Sequence, residues 1–214
     1  MNEPKLYKCK NIGCENKFEK KHPFQTWCSL ACGYLISKRN LDEADKKKAK
    51  ELAQKNITIS EEFKLLQPYI NKIARLIDQD LPCISCGSKF GKPQGGHYRA
   101  STNTRLRFNL HNVHKQCFRC NHELSGNVSG YIEGLKTRYG NEYFERVNSL
   151  YVEVGEVNWS KEDIREAKVI AAQVCRELET NHQSYMNVGE RITHRDRINE
   201  RIKLYNKCRT STDL

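Results

Sequence analysis

No run of apolar residues in this chain approaches membrane-spanning length, and none stands at its N-terminus as a secretory leader would. The expectation is a soluble, cytoplasmic protein. Apolar content is scarce as well: 37% hydrophobic residues, 29% charged residues and a mean hydropathy of -0.80 over 214 residues argue against one large core. Small metal-stapled modules joined by helices fit that composition better. Acidic residues fall short of basic ones, 26 against 37, which leaves a formal charge of +11. Such a charge reads either as plain solubility or as the mark of a polyanionic partner.

Cysteine, by contrast, is plentiful. Eight of the ten cysteines fall into four close pairs. In a reducing compartment, paired cysteines point to metal rather than to disulfides. Cys83-x2-Cys86 and Cys117-x2-Cys120, about thirty residues apart, supply four thiolates for one tetrahedral structural zinc. Cys9-x4-Cys14 and Cys28-x3-Cys32 form the other set; Trp27 precedes its second pair and the apolar Tyr34-Leu35-Ile36 follows. This describes a short zinc finger whose second pair opens a helix, holding a second structural zinc. Eight thiolates set against two Zn²⁺ bring the net charge to about +7, still basic. Cys175 reads as a small buried hydrophobe, and Cys208 sits in a polar stretch without a close partner.

If zinc is scaffold, chemistry is expected between its knuckles. His97 falls where the first strand of a hairpin would end, and a neutral imidazole suits proton abstraction from water near neutral pH. Asn121 directly follows the last cysteine, and its amide oxygen suits Mg²⁺ or Mn²⁺. Asn112 suits a loop brace, able to donate to and accept from the backbone. The order His, Asn, Cys-x2-Cys-Asn is similar to the HNH pattern of metal-dependent nucleases in its zinc-bearing form. Arg99, Arg105, Arg107 and Lys115 lie on or beside the expected hairpin as candidate phosphate contacts. Arg99, two residues from His97 on one strand face, is the first choice for stabilising charge; the other reading is a surface arginine. Tyr98 alternates to the opposite face and reads as packing. One departure from the pattern is Gly96, which stands where many HNH enzymes carry an acidic or histidine metal ligand. The ligand set is then incomplete: Asn121 needs His97 itself, His122, Glu123 or a carbonyl, with His111 and His114 also in range. His97 is either base or ligand.

A closer resemblance follows from longer matches. Leu81 to Gly87, Gly96-His-Tyr-Arg99, Leu106-Arg-Phe-Asn109, Asn112, His114 to Cys117, Cys120-Asn121 and Ser125-Gly-Asn127, with Cys9-Lys-Asn11, Trp27-Cys28 and Cys32-Gly33, resemble the NinG (Rap) recombination proteins of lambdoid phages. The resemblance runs from about Cys9 to the helix after Asn127. It implies a structure-selective endonuclease cutting branched DNA, such as Holliday junctions and D-loops, in phage recombination, and leaving 5′-phosphates. The place implied is the host cytoplasm, associated with the nucleoid. The core is more distantly similar to the junction resolvase endonuclease VII. Symmetric cutting of two strands implies a homodimer, with phage or host recombination proteins as further partners. Gly96 favours a competing reading, a non-catalytic zinc-dependent binder of branched DNA; a weaker one is an RNA-binding or protein-docking zinc module.

The expected fold is α+β and mostly helical: a ββα-metal (HNH, treble-clef-like) zinc module flanked by helices, plus the N-terminal four-cysteine finger. Residues 1–36 would form the finger, ringed by lysines that either position DNA or border a protein-docking face. Residues 37–80 hold a charged helical spacer and then an amphipathic helix, interrupted or restarted near Pro68. Its apolar face packs either on the nuclease module or on a second subunit. Residues 81–130 form the nuclease core. Residues 131–180 supply helices on that core: one stripe continues from Tyr131 to Leu150, and another, capped by Ser160 and Asp163, covers the zinc module. Residues 181–214 read as a basic tail or terminal helix, either a DNA-contacting arm or solvated.

Overall fold

The computed structural model describes residues 4–100, 102, 106–150, 159–180 and 186–204. They group into two compact units, Met1–Ile57 and Thr58–Leu214. Mostly helical, the α+β chain carries two two-stranded sheets among the described residues. Arg105 and Cys208 lie outside the described residues.

In the first unit, β1 (Leu6–Lys8) and β2 (Lys17–Glu19) pair antiparallel with Tyr7 opposite Phe18. Helix α1 (Leu30–Asn56) starts where Ser29 accepts the Cys32 N–H, so the second cysteine pair straddles the helix start. The helix runs unbroken past position 36 into the charged stretch, where residues 40–54 are all exposed.

In the second unit, α2 (Ile59–Ile77) opens on a reciprocal capping box between Thr58 and Glu61. Contrary to the expected break, Pro68 lies inside this helix. Pro68 and Lys64, the residue whose carbonyl loses its intrahelical donor, are both exposed, so the missing bond falls on the solvent side of the helix. Strand β3 (Pro93–His97) pairs antiparallel with β4 (Val113–Cys117), running from Pro93 opposite Cys117 to His97 opposite Val113. A wide helical turn follows at Arg119–Glu123, then α3 (Val128–Tyr139) and α4 (Asn141–Ser149). Asn121 sits in that turn, and left-handed Ser125, Gly126 and Asn127 separate it from α3. The stripe from Tyr131 to Leu150 is likewise two helices, divided at Gly140 with φ +88°.

Two cores result. Leu66, Ile70, Ile73 and Ile77 of α2 pack on the stripe of α5 (Lys161–Thr180) and on Phe108, Leu110 and Val113. The amphipathic face of α2 is thus satisfied within the chain. The reciprocal cap of Ser160 and Asp163 forms, but α5 covers α2 and not the zinc module. The physical reason is the apolar stripe on α2, the larger surface to bury. The hairpin side is covered by α3 and α4, through Tyr131, Leu135, Tyr143 and Phe144 against Ile84 and Tyr98.

Of the two readings of the C-terminal segment, tail or terminal helix, the helix is the one found for residues 188–202, and it is packed rather than solvated. Residues 188–202 form α6 (Val188–Ile202), whose Arg191 and Arg195 are 2% and 0% exposed. Arg195 makes a two-pronged ion pair with Asp78 at 2.8 and 2.9 Å and donates to the carbonyls of Leu110 and Val113. Arg191 pairs in the same way with Asp80. Both cations are buried because acids at the end of α2 neutralise them.

Candidate functional site

Four sulfurs meet in each unit: Cys9, Cys14, Cys28 and Cys32 in the first, and Cys83, Cys86, Cys117 and Cys120 in the second. A tetrahedron of sulfurs about 2.3 Å from zinc has edges of about 3.8 Å. The separations of Cys14 from Cys28, Cys28 from Cys32 and Cys86 from Cys117 are 3.6, 3.8 and 3.8 Å. The donor sets therefore fit zinc. Side-chain amides aim N–H groups at the sulfurs: Asn127 Nδ2 donates to Cys120 Sγ at 3.4 Å, and Asn11 Nδ2 to Cys32 Sγ at 3.5 Å. Such donors stabilise thiolates. Without metal, four thiolates cannot share this space. Burial and the neighbouring sulfurs push the Cys120 thiol up to about 12.

The hairpin between these knuckles positions His97. Its Nε2 lies 3.0 Å from the Arg107 carbonyl oxygen, which can only accept, so Nε2 carries the proton. Nδ1 is left with its lone pair. Burial lowers the His97 pKa most, the Arg107 carbonyl opposes that, and the Arg107 guanidinium charge lowers it further. The ring is therefore neutral at pH 7. Gln67 of α2 accepts from Arg107 Nε at 3.0 Å and donates to Asn71 at 2.9 Å, holding the segment that carries the acceptor carbonyl. Arg107 also lies over the Phe63 and Phe108 rings.

Asn112 is buried beside it. Its Oδ1 accepts the Arg99 N–H at 2.8 Å, and its Nδ2 donates to the carbonyls of Arg99 and Leu106 at 3.0 and 3.2 Å. Arg99 and Leu106 are thus tied together by this one side chain. Arg99 itself donates to Asn148 Oδ1 of α4 at 2.6 Å and lies over Tyr98. Lys115 donates from Nζ to the Gln79 carbonyl at 2.8 Å, just beyond the end of α2.

Gly96 has a steric reason. A Cβ there would meet Gln116 Oε1 at 2.0 Å, and one on Gly95 would meet the Asn71 backbone at 2.7 Å. Gln116 fills the space an acidic ligand at position 96 would need, anchored by its Nε2 to Ser85 and Gly126. Among the described residues, the two cysteine sets are the only groups of three or more His, Cys, Asp or Glu placed to hold one ion. His97 and His122 belong to neither. Asn121 and His122 follow Cys117, at the end of β4, and His97 pairs with Val113, at its start. His122 stacks on Phe118 at 4.7 Å.

His111 and His114 are structural. His114 is fully buried: Tyr131 Oη donates to the Gly96 carbonyl and accepts from His114 Nδ1, each at 3.0 Å. His111 donates from Nε2 to Asp196 at 3.0 Å and accepts from Tyr143 Oη at 2.9 Å. Burial lowers both pKa values. Gln67, Gln116 and the Asp78–Arg195 pair escaped the sequence reading. No motif marks Gln67 or Gln116; the pairing of Asp78 with Arg195 spans 117 positions.

Fold and site define an α+β protein, mostly helical, with two four-cysteine clusters able to hold zinc. The model of the bacteriophage lambda NinG protein family matches residues 1–181, and the chain belongs to that family. It is 33% identical over 200 residues to protein ninG of Escherichia phage lambda, covering 83% of this chain and 94% of that one. The corresponding protein of Salmonella phage P22 is 31% identical over 193 residues, covering 80% and 93%. That of Escherichia phage 933W is 36% identical over 136 residues, covering 63% and 65%. No solved structure matches.

Proposed function

We propose that this chain is a structure-selective DNA endonuclease that cuts branched DNA, such as Holliday junctions and D-loops, in phage recombination. The observation that carries the reading is His97: neutral, held through Nε2 and Gln67-braced Arg107, with the Nδ1 lone pair available. Nδ1 takes a proton from a water whose oxygen bonds to the scissile phosphorus. The bond to the 3′-oxygen breaks, that oxygen takes a proton from solvent, and a 5′-phosphate remains. Asn112 ties Arg99 and Leu106 together near the base. Mg²⁺ or Mn²⁺ is the proposed cofactor, able to stabilise charge on the phosphate, with Asn121 as one protein ligand and water and DNA oxygens as others. The two zinc ions are structural. Paired cuts across a junction need two centres, so a homodimer is proposed. The site of action is the nucleoid in the host cytoplasm, alongside phage or host recombination proteins.

A second reading, a non-catalytic binder of branched DNA, is favoured by Gln116 occupying the acidic-ligand space beside Gly96. Incubating the zinc-loaded chain with a labelled four-way junction or a matched linear duplex, with Mg²⁺ or Mn²⁺ or with neither, separates the two. Metal-dependent cutting confined to the junction is expected for the nuclease. Junction-selective binding without cutting under every condition identifies the binder.

A further inference from the structure

Phe90 is 86% exposed at the tip of the loop between Cys86 and β3. An aromatic ring in water serves no core, and this one is held out by a rigid support. Ser88 Oγ accepts the Phe90 N–H at 3.1 Å, Cys83 N–H donates to the Ser88 carbonyl at 2.8 Å, and Phe118 N–H donates to the Lys92 carbonyl at 3.2 Å. The loop is thus fastened to both cysteine knuckles. Phe90 lines one shallow groove with Phe118, Lys92 and Arg119. Phe118 is 45% exposed and carries the stacked ring of His122 on one face. Lys89, Lys92 and Arg119 are exposed, and none enters an ion pair among the described residues. Glu123 is the acid on the same turn.

Exposed aromatic faces among unpaired cations are what an unstacked nucleobase and its flanking phosphates require. Paired bases within a duplex are closed to such a ring; bases at a branch point are not. Resting on the branched-DNA reading above, we propose that the zinc knuckle of the second unit presents Phe90, supported by Phe118 and His122, as a stacking surface for unpaired DNA bases at a branch, with Lys89, Lys92 and Arg119 on the adjoining phosphates. Selectivity for branched over linear DNA would then reside here and not at His97.

The test compares the full zinc-loaded chain with Phe90→Ala and Phe90→Trp at one salt concentration, by equilibrium binding to a four-way junction with 2-aminopurine at the branch and to a matched duplex. Because Phe90 packs on no core, Phe90→Ala should keep the native circular dichroism and zinc content. Its junction affinity is expected to fall about tenfold, with duplex affinity changed less than about twofold. Phe90→Trp should restore junction binding and the 2-aminopurine response. Equal junction affinity for wild type and Phe90→Ala overturns the stacking surface and leaves the nuclease reading intact. An equal loss on junction and duplex also overturns it, as does a loss of self-association in Phe90→Ala, which would make Phe90 a contact between copies. Wild-type protein that binds neither DNA overturns the branched-DNA reading itself, and this proposal with it.

Discussion

His97 carries a lowered pKa because burial and the Arg107 charge outweigh its carbonyl hydrogen bond. The proposed base is therefore mostly neutral at the ordinary histidine value of about 6.5. The midpoint of the acid limb of junction cleavage should lie below about pH 6.5, measured as single-turnover rate against pH; a midpoint above pH 7 would contradict the assignment. The same direction of shift at His97, His111 and His114 has a consequence for stability. Each folded pKa lies below its unfolded value, so the unfolded chain binds more protons as the pH falls through about 6.5. Their contribution is complete above that pH and is lost on acidification. Urea midpoints at pH 7.5 and 5.5 should fall in that order, and a higher midpoint at pH 5.5 would refute the linkage. Asn112→Ala removes one acceptor and two donated bonds from buried backbone groups, an expected loss of about 1–3 kcal/mol in denaturant unfolding.

The elements show where pattern reading holds and where it stops. Cysteine spacing placed both sulfur sets, because metal ligands must recur at short fixed intervals on a turn. The stripes of α2 and α5 and the cap at Ser160 were legible from period and capping residues. Pro68 misled because a proline on the exposed side of a packed helix loses only a solvated bond. The terminal helix was among the readings of the last segment, but its packing was not, because buried arginines look like solvated ones until their partners are known, and Asp78 is 117 positions from Arg195. Asp78 also accepts from the Lys115 N–H at 3.1 Å and from Tyr139 Oη at 3.2 Å, joining α2, β4, α3 and α6. Asp78→Ala leaves a buried guanidinium uncompensated and should cost about 3–5 kcal/mol. Lys203→Ala, which breaks an exposed pair with Glu166, should cost under about 1 kcal/mol. Comparable losses in the two unfolding curves would show that the buried pair organises nothing. Gln116 beside Gly96 was invisible to pattern reading for another reason: a strand pairing turns a missing side chain into a filled space only in three dimensions.

At the scale of the whole molecule, two compact units each contain one four-cysteine set, so zinc should leave them independently. Cys28→Ser is expected to lower bound zinc from about two per chain to about one by metal analysis, with the second unit still folded; loss of both ions would show that the units depend on each other. A charge of +11, or about +7 with both zincs bound, predicts DNA affinity that falls steeply with salt. The proposed activity, however, depends on one imidazole, that of His97. The most direct measurement is the single-turnover rate of four-way junction cleavage by wild type and by His97→Ala, both verified to hold zinc and to bind the junction equally. A loss of about 10²–10⁴-fold in the variant is the predicted result; cleavage at the wild-type rate would contradict it.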